Sequence, residues 1–324
     1  MSSTNLSFQN ELIPISALTL TPNTAIGVDV YLNNGSKLKP VLFCANDVEI
    51  SSTRLNLLAT EGVTKLFIHR DSYDSYQSYL RENWETLIEN ENIPSISRVT
   101  IMSDVVRAVL SEELSNKNTS ALVNTCDDLG ESIAKILGDQ PILVTELCDV
   151  IHHDYATFTH STNVASYSVV LARGLGFSQT DIKQIAVGAL LHDLGKLEIP
   201  ERILTKPGRL DEFEFREVKK HPTTGFKRLV QEQQRLNFSQ LMMVYQHHEK
   251  LDGSGYPVGI TRDEIHPWAK LCSVVDIFEA LTSQRPYRKP MSHTTALAVL
   301  DKAAGSELDE EIVKCWRSLV QTTA

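Results

Sequence analysis

Five histidines and two aspartates after residue 150 of a 324-residue chain carry the donor atoms that divalent cations need: His160, His192 with Asp193, His221, His247 with His248, and Asp276. Neutral imidazole nitrogen and carboxylate oxygen suit borderline metals, and Fe, Mn, Ni and Zn are all chemically reasonable. Seven donors are too many for one ion with open positions, and about right for two ions sharing a bridging carboxylate. Asp193, directly after His192, is the natural bridge, because a carboxylate can give one oxygen to each metal. Two cations about 3.5–4 Å apart can hold a hydroxide between them and clamp a phosphoryl group, which suits phosphodiester or phosphomonoester hydrolysis. His192-Asp193 follows the apolar run IAVGALL, and Asp276 is set in LCSVVDIFEAL, where a carboxylate is costly unless paired or metal-bound. Any one of these histidines alone reads more readily as a hydrogen-bonded core or surface residue. Packing does not explain the set. His152 and His153 lack that context and read as solvated, or as partners that orient a ligand.

These groups must be positioned by helices. After residue 150 the pattern predicts helices over 164–175, from an N-cap at Asp181 to His192 or Asp193, and over 211–220, 225–233, 239–249, 268–282, 293–303 and 309–319. Pro200, Pro207, Pro222, Pro257, Pro267, Pro286 and Pro290 fall between them as breakers. Before residue 70 the reading is strands and turns: 25–32, a hairpin turn at Asn33-Asn34-Gly35, a strand over 40–44, a helix over 53–60 and a strand over 62–69. A Tyr-rich helix follows over 72–89. The expected architecture is mainly α: a small α+β accessory or regulatory domain (1–95), a helical connector (96–150) and an all-helical domain (151–324). Val105, Val106, Val109 and Leu110 give the connector an apolar stripe that needs a partner surface, so a homodimer contact through 96–150 is expected.

The motifs resemble an HD-GYP domain. His192-Asp193-Leu194-Gly195-Lys196 precedes Ile199-Pro200, Lys206-Pro207-Gly208, His221-Pro222 and Gly225. His247-His248-Glu249, Asp252-Gly253 and Gly255-Tyr256-Pro257 follow, then Asp276-Ile277-Phe278, Ala280-Leu281-Thr282 and Arg285-Pro286-Tyr287-Arg288. The similarity covers about residues 151–315. It implies an all-helical, metal-dependent phosphodiesterase that cuts cyclic di-GMP to pGpG by in-line attack of metal-bridging hydroxide, with further cleavage to GMP left open. It implies two divalent ions, Fe or Mn, one held by His160, His192, Asp193 and Asp276, the other by Asp193, His221, His247 and His248. His192, Asp193 and Lys196 are the expected catalytic residues, with Lys196 at a substrate phosphate. Arg285 and Arg288 suit phosphate or guanine contacts through their donor fork, or else are helix-end charges. Tyr256, in a Gly-rich loop, can stack on a base. Some members bind a third metal through a glutamate at the position of Ala156, so a dinuclear site is expected here. Glu279 stands where the family usually has aspartate and keeps the charge.

Composition bounds the alternatives. The net charge is −10, with no basic stretch long enough to track a phosphate backbone, so duplex nucleic acid is not an expected partner. Acidic side chains outnumber basic ones two to one in residues 1–150 and balance them afterwards. The acidic N-terminal segment is expected to contact a signalling protein rather than a cyclic dinucleotide. Five scattered cysteines without a CxxC pair read as reduced thiols. No apolar run approaches the ~20 residues of a membrane span, and the N-terminus lacks an export signal; a cytoplasmic protein is expected. Two rival readings remain. One is an HD-superfamily phosphohydrolase acting on another nucleotide. The other is a catalytically idle, metal-bound sensor of a cyclic dinucleotide or a protein.

Overall fold

The computed structural model describes residues 12–32, 40–89, 93, 98–99, 101–106, 110, 118–138, 147, 157–232, 235–285 and 288–321. The chain divides into two compact units, Met1–Val109 and Leu110–Ala324.

In the first unit, strands β1 (Leu12–Ser16), β2 (Val30–Leu32), β3 (Val41–Cys44) and β4 (Lys65–His69) form an antiparallel sheet in the order β1-β4-β2-β3. Val30, Leu66 and Ile68 are fully buried in it. The strand expected over 25–32 is shorter than its apolar pattern. Gly27 has φ 76°, which takes the backbone out of the extended region, and Ala25 makes only an isolated bridge to Glu49. The Asn33-Asn34-Gly35 turn lies outside the described residues; the strands flanking it pair with Leu32 opposite Val41. Helices α1 (Ser52–Thr60) and α2 (Tyr73–Glu89) complete the unit. The α2 side chains Tyr76 and Tyr79 are buried, and their hydroxyls are satisfied at Thr19 and Thr21.

The second unit is helical. Helix α3 (Thr119–Gly138) packs on α4 (Thr157–Gly174) and α5 (Gln179–Leu191). The boundary between the two units runs through the expected connector, with Val105 and Val106 in the first unit and Leu110 and α3 in the second. Gly130 lies against Val187 so closely that an added Cβ would meet its side chain at 2.6 Å. Of the expected stripe, Val105, Val106 and Leu110 are buried, and Val109 lies outside the described residues.

Helix α4 begins two turns before the expected 164. Its Thr159, Ser161, Thr162 and Asn163 look like a loop in sequence but are buried, and Ser166 returns its hydroxyl to the carbonyl of Thr162. The N-cap of α5 is Ser178, not Asp181; the Ser178 side chain accepts from the Asp181 N–H. Short helix α6 (Glu201–Leu204) and α7 (Glu212–Val218, capped by Asp211) lead into α8 (His221–Leu229). Pro222 starts α8 rather than preceding it, because the first turn needs no proline N–H. Helices α9 (Phe238–Gln246), α10 (Pro267–Thr282), α11 (His293–Ala303) and α12 (Glu310–Gln321) close the unit.

One aromatic cluster sets the geometry of the site. Tyr167 of α4, Phe278 of α10 and Trp316 of α12 are fully buried, with ring centroids 5.1–5.9 Å apart. Such pairs contribute about 0.5–1.5 kcal/mol each beyond their burial. They clamp α10 against α4, and so bring Asp276, two residues before Phe278, to His160. Among the described residues no helix is long and apolar enough to cross a membrane.

Candidate active site

All seven expected ligands converge in the second unit. One donor atom each from Asp193, His221, His247 and His248 lies within 4.8 Å of the others, and His160, His192 and Asp276 form a second such group. Asp193 faces both. Its Oδ2 is 3.3 Å from His160 Nε2 and 3.4 Å from His192 Nε2, while its Oδ1 is 3.3 Å from His221 Nε2 and 3.9 Å from His247 Nε2. His160 Nε2 also lies 3.0 Å from Asp276 Oδ1, and His248 Nδ1 is 3.9 Å from Asp276 Oδ2.

The backbone aims the imidazoles. Nδ1 of His192, His221 and His247 each bonds the carbonyl three residues earlier, at Ala189, Val218 and Val244, over 2.6, 2.8 and 2.9 Å. A carbonyl only accepts, so each Nδ1 carries the proton and each Nε2 presents a lone pair to the centre. The Nε2 atoms of His221 and His247 then face each other at 3.2 Å, lone pair against lone pair. His192 Nε2 and Asp193 Oδ1 are buried without a hydrogen-bond partner. Orphaned acceptors converging in this way fit a cation between them.

Protonation agrees with this donor set. Burial pushes His192 and His247 down from the usual imidazole range. It takes His221 to about 3 and His248 to about 4. These rings are neutral donors at pH 7. Burial works to raise the Asp193 carboxyl, but Lys196 and His192 outweigh it and hold it well below the carboxylate range. Asp276 is held low in the same way, chiefly by His160. His160 differs: burial opposes its charge, but Glu279, Asp193 and Asp276 raise it well above the usual value.

Glu279 is the group that orients His160. Its carboxylate accepts from His160 Nδ1 (2.5 Å), Ser283 Oγ (2.6 Å), Arg285 (2.9 Å) and Asn163 Nδ2 (3.0 Å). Burial works to raise its pKa, but His160 and Arg285 bring it down to about 2. Glu279→Gln is expected to weaken metal binding about 10- to 100-fold, because the amide no longer supports the ring's donor strength. Competition titration against a chelating indicator reads this; unchanged affinity would place Glu279 outside the centre's chemistry.

A cavity of about 750 Å³ opens at the clusters, and His160, His248 and Asp276 line it. Its wall carries Lys196, Lys206, Arg209, Arg285 and Arg288. Several of these cations are engaged by the protein itself. Lys196 bonds Asp193, and Lys206 bonds Glu214. Arg285 gives a guanidinium nitrogen to Glu279, and Arg288 donates to the carbonyls of Leu281 and Ala280 at the end of α10. Arg288 thus makes the contact of a helix-end charge while facing the cavity. Arg209 and Phe215, also on the wall, were not expected; the only sequence signal was their place between Gly208 and His221. Tyr256 is not on this wall. Its ring stacks on His248 at 4.7 Å, at the end of a loop whose Val258 and Gly259 N–H groups donate to buried Glu249. His152, His153, Ala156, Pro286 and Tyr287 lie outside the described residues.

The HD domain family matches residues 132–312, more than half of the chain. The chain is 40% identical over 172 residues to 3′3′-cGAMP-specific phosphodiesterase 3 of Vibrio cholerae, covering 50% of this chain and 34% of that protein. It is 30% identical over 218 residues to cyclic di-GMP phosphodiesterase PA4108 of Pseudomonas aeruginosa, covering 63% and 52%. The chain thus spans between a third and about half of the length of these relatives. In fold it is similar to Bd1817, an HDG"Y"P protein from Bdellovibrio bacteriovorus, with a TM-score of 0.68 and 20% identity over 96% of this chain and 99% of that one. With the HD motif carried on a helical scaffold within the matched residues, the chain belongs to the HD domain family.

Proposed function

We propose that the chain hydrolyses the phosphodiester bond of a cyclic dinucleotide, cyclic di-GMP, to the linear pGpG. One observation carries the reading: Asp193 turns one oxygen to each of two His/Asp clusters beside a cation-walled cavity. The cavity volume lies in the ordinary range of small-molecule sites. The names of the Pseudomonas and Vibrio relatives support the substrate class, cyclic dinucleotides.

His160, His192, Asp193 and Asp276 would hold one divalent ion, and Asp193, His221, His247 and His248 the other. Fe and Mn suit these nitrogen and oxygen donors. Such ions supply Lewis acidity and lower the pKa of water, which diester hydrolysis requires. The chain's own groups do the rest. The Nδ1–carbonyl bonds fix the rings before substrate arrives, so nothing reorganises at the moment of reaction. Lys196, Arg209 and Arg288 offset the charge of the substrate's phosphates, and the half-exposed Phe215 ring offers a stacking face to a base.

The test is product chromatography with anaerobically purified protein, metal content measured, on cyclic di-GMP and 3′3′-cGAMP in parallel. A linear 5′-phosphorylated dinucleotide is expected from cyclic di-GMP, abolished by chelation and restored by Fe or Mn; GMP in the same trace reports a second cut. Saturable binding without turnover in fully loaded protein would make the domain a sensor. Faster cleavage of 3′3′-cGAMP would move the substrate assignment.

A further inference from the structure

A second hollow, of about 470 Å³, lies next to the cavity at the clusters. It is lined by Arg216, Lys219, Lys220 and Lys227 and by the hydroxyl-bearing Thr223 and Thr224, with Tyr256 on one side. Lys219 joins the two walls: its ammonium lies 4.7 Å from the ring centre of Phe215, on the first cavity, and 5.4 Å from that of Tyr256.

Residues 151–324 carry as many acidic as basic side chains, yet four cations gather around this one hollow. Lys220 is paired with Glu217 at 2.6 Å. Among the described residues, no carboxylate lies within ion-pair distance of Arg216, Lys219 or Lys227. Like charges gathered without counter-charges repel, and an anion placed among them removes that cost. The donor set also has a shape. A guanidinium fork, the ammonium groups of Lys219 and Lys227 and two hydroxyls can surround a tetrahedral group with several acceptor oxygens, as a flat carboxylate cannot use them all. The volume is in the lower half of the roughly 300–1,000 Å³ range of small-molecule sites, enough for a single nucleotide.

We propose that this hollow is a second anion site, which takes the phosphate group of a phosphomonoester such as a mononucleotide, separate from the cavity that faces the histidines. The inference does not rest on the reaction proposed above. Its ligand binds without any bond being made or broken.

The test uses the full chain as purified and follows amide hydrogen exchange across 212–229 while guanosine 5′-monophosphate, inorganic phosphate or guanosine is added. The monophosphate is expected to protect residues 216–227 saturably, and guanosine to leave them unchanged. Arg216→Glu with Lys227→Glu, both exposed side chains, is expected to weaken that protection about tenfold or more, since each loses a charged hydrogen-bond partner. The milder pair Arg216→Gln with Lys227→Gln gives the same direction if charge reversal disturbs the fold. Equal affinity for phosphate and monophosphate assigns the site to free phosphate; tighter monophosphate binding assigns it to nucleotides. No protection of 216–227 by either phosphate compound at about 1 mM, or identical binding by the charge-reversed protein, overturns the proposal. Turnover of cyclic dinucleotide is not read in this experiment, so either result leaves the proposed reaction to be judged by its own test.

Discussion

Asp193→Ala is expected to lower the metal content of the purified protein from two ions per chain to one or fewer, and the phosphodiesterase rate by about a thousandfold or more. Asp193 stands among the rings of both clusters, Oδ2 toward His160 and His192 and Oδ1 toward His221 and His247, whereas Asp276 approaches the second cluster at His248, over 3.9 Å. The His192, His221 and His247 rings are held by their own backbone bonds and do not swing in to replace it. A metal pair supplies several kcal/mol of transition-state charge stabilisation, and about 4 kcal/mol corresponds to three powers of ten.

His248→Ala is expected to behave differently. His248 is one donor of one cluster, with partial exposure and a 3.9 Å approach to Asp276. Its loss leaves the His160 group intact, so metal content is expected to fall by one ion only. Metal analysis by mass spectrometry, on protein loaded with Mn and freed of excess, separates the two variants. If Asp193→Ala keeps two tightly held ions, the shared-carboxylate geometry is not what binds metal.

The seven donors were legible in the sequence as a set: His192-Asp193 and Asp276 adjoin apolar runs where an unpaired imidazole or carboxylate would be costly, and His160, His221 and His247-His248 complete the number that two ions need. Asp276 in LCSVVDIFEAL is the plainest case: seven per cent exposed, with His160 at 3.0 Å. What was not legible depends on partners distant in the chain. The polar start of α4 reads as loop until Thr159, Ser161 and Asn163 are seen to be enclosed by other helices. Helix α3 reads as a connector until α4 and α5 are seen to cover its apolar face. Arg285 reads as a substrate contact by type alone, whereas its nearest anion is Glu279, six residues earlier on α10. Tyr256 sits in the expected motif, yet the loop held by Glu249 turns its ring onto His248 and toward the second hollow.

Gly195→Ala is expected to cost about 3 kcal/mol of stability or more, and to lower metal affinity at the same time. Gly195 follows the His-Asp pair by two residues, in a 3₁₀ turn over Leu194–Glu198. A Cβ there would lie 2.0 Å from the carbonyl oxygen of His221, 2.8 Å from its carbon and 2.7 Å from the nitrogen of Gly225. Every one of those atoms is backbone, so no side chain can rotate away. The first turn of α8 must move, and it carries His221, whose Nε2 faces Asp193 Oδ1. Ordinary overpacking costs roughly 1–3 kcal/mol, and a clash with fixed backbone belongs at or above the top of that range. Gly188→Ala is the control: its Cβ would meet the Sδ of Met243 at 2.7 Å, the flexible part of a thioether that can shift, and alanine gains about 1 kcal/mol over glycine in a helix interior. In a unit of this size 1 kcal/mol moves the midpoint about 2–4 °C, so metal-free Gly195→Ala is expected to melt about 6–12 °C below the parent and Gly188→Ala close to it. A Gly195→Ala protein that melts with the parent and keeps its metal affinity would mean that the turn and α8 are not in the contact that holds His221 in place.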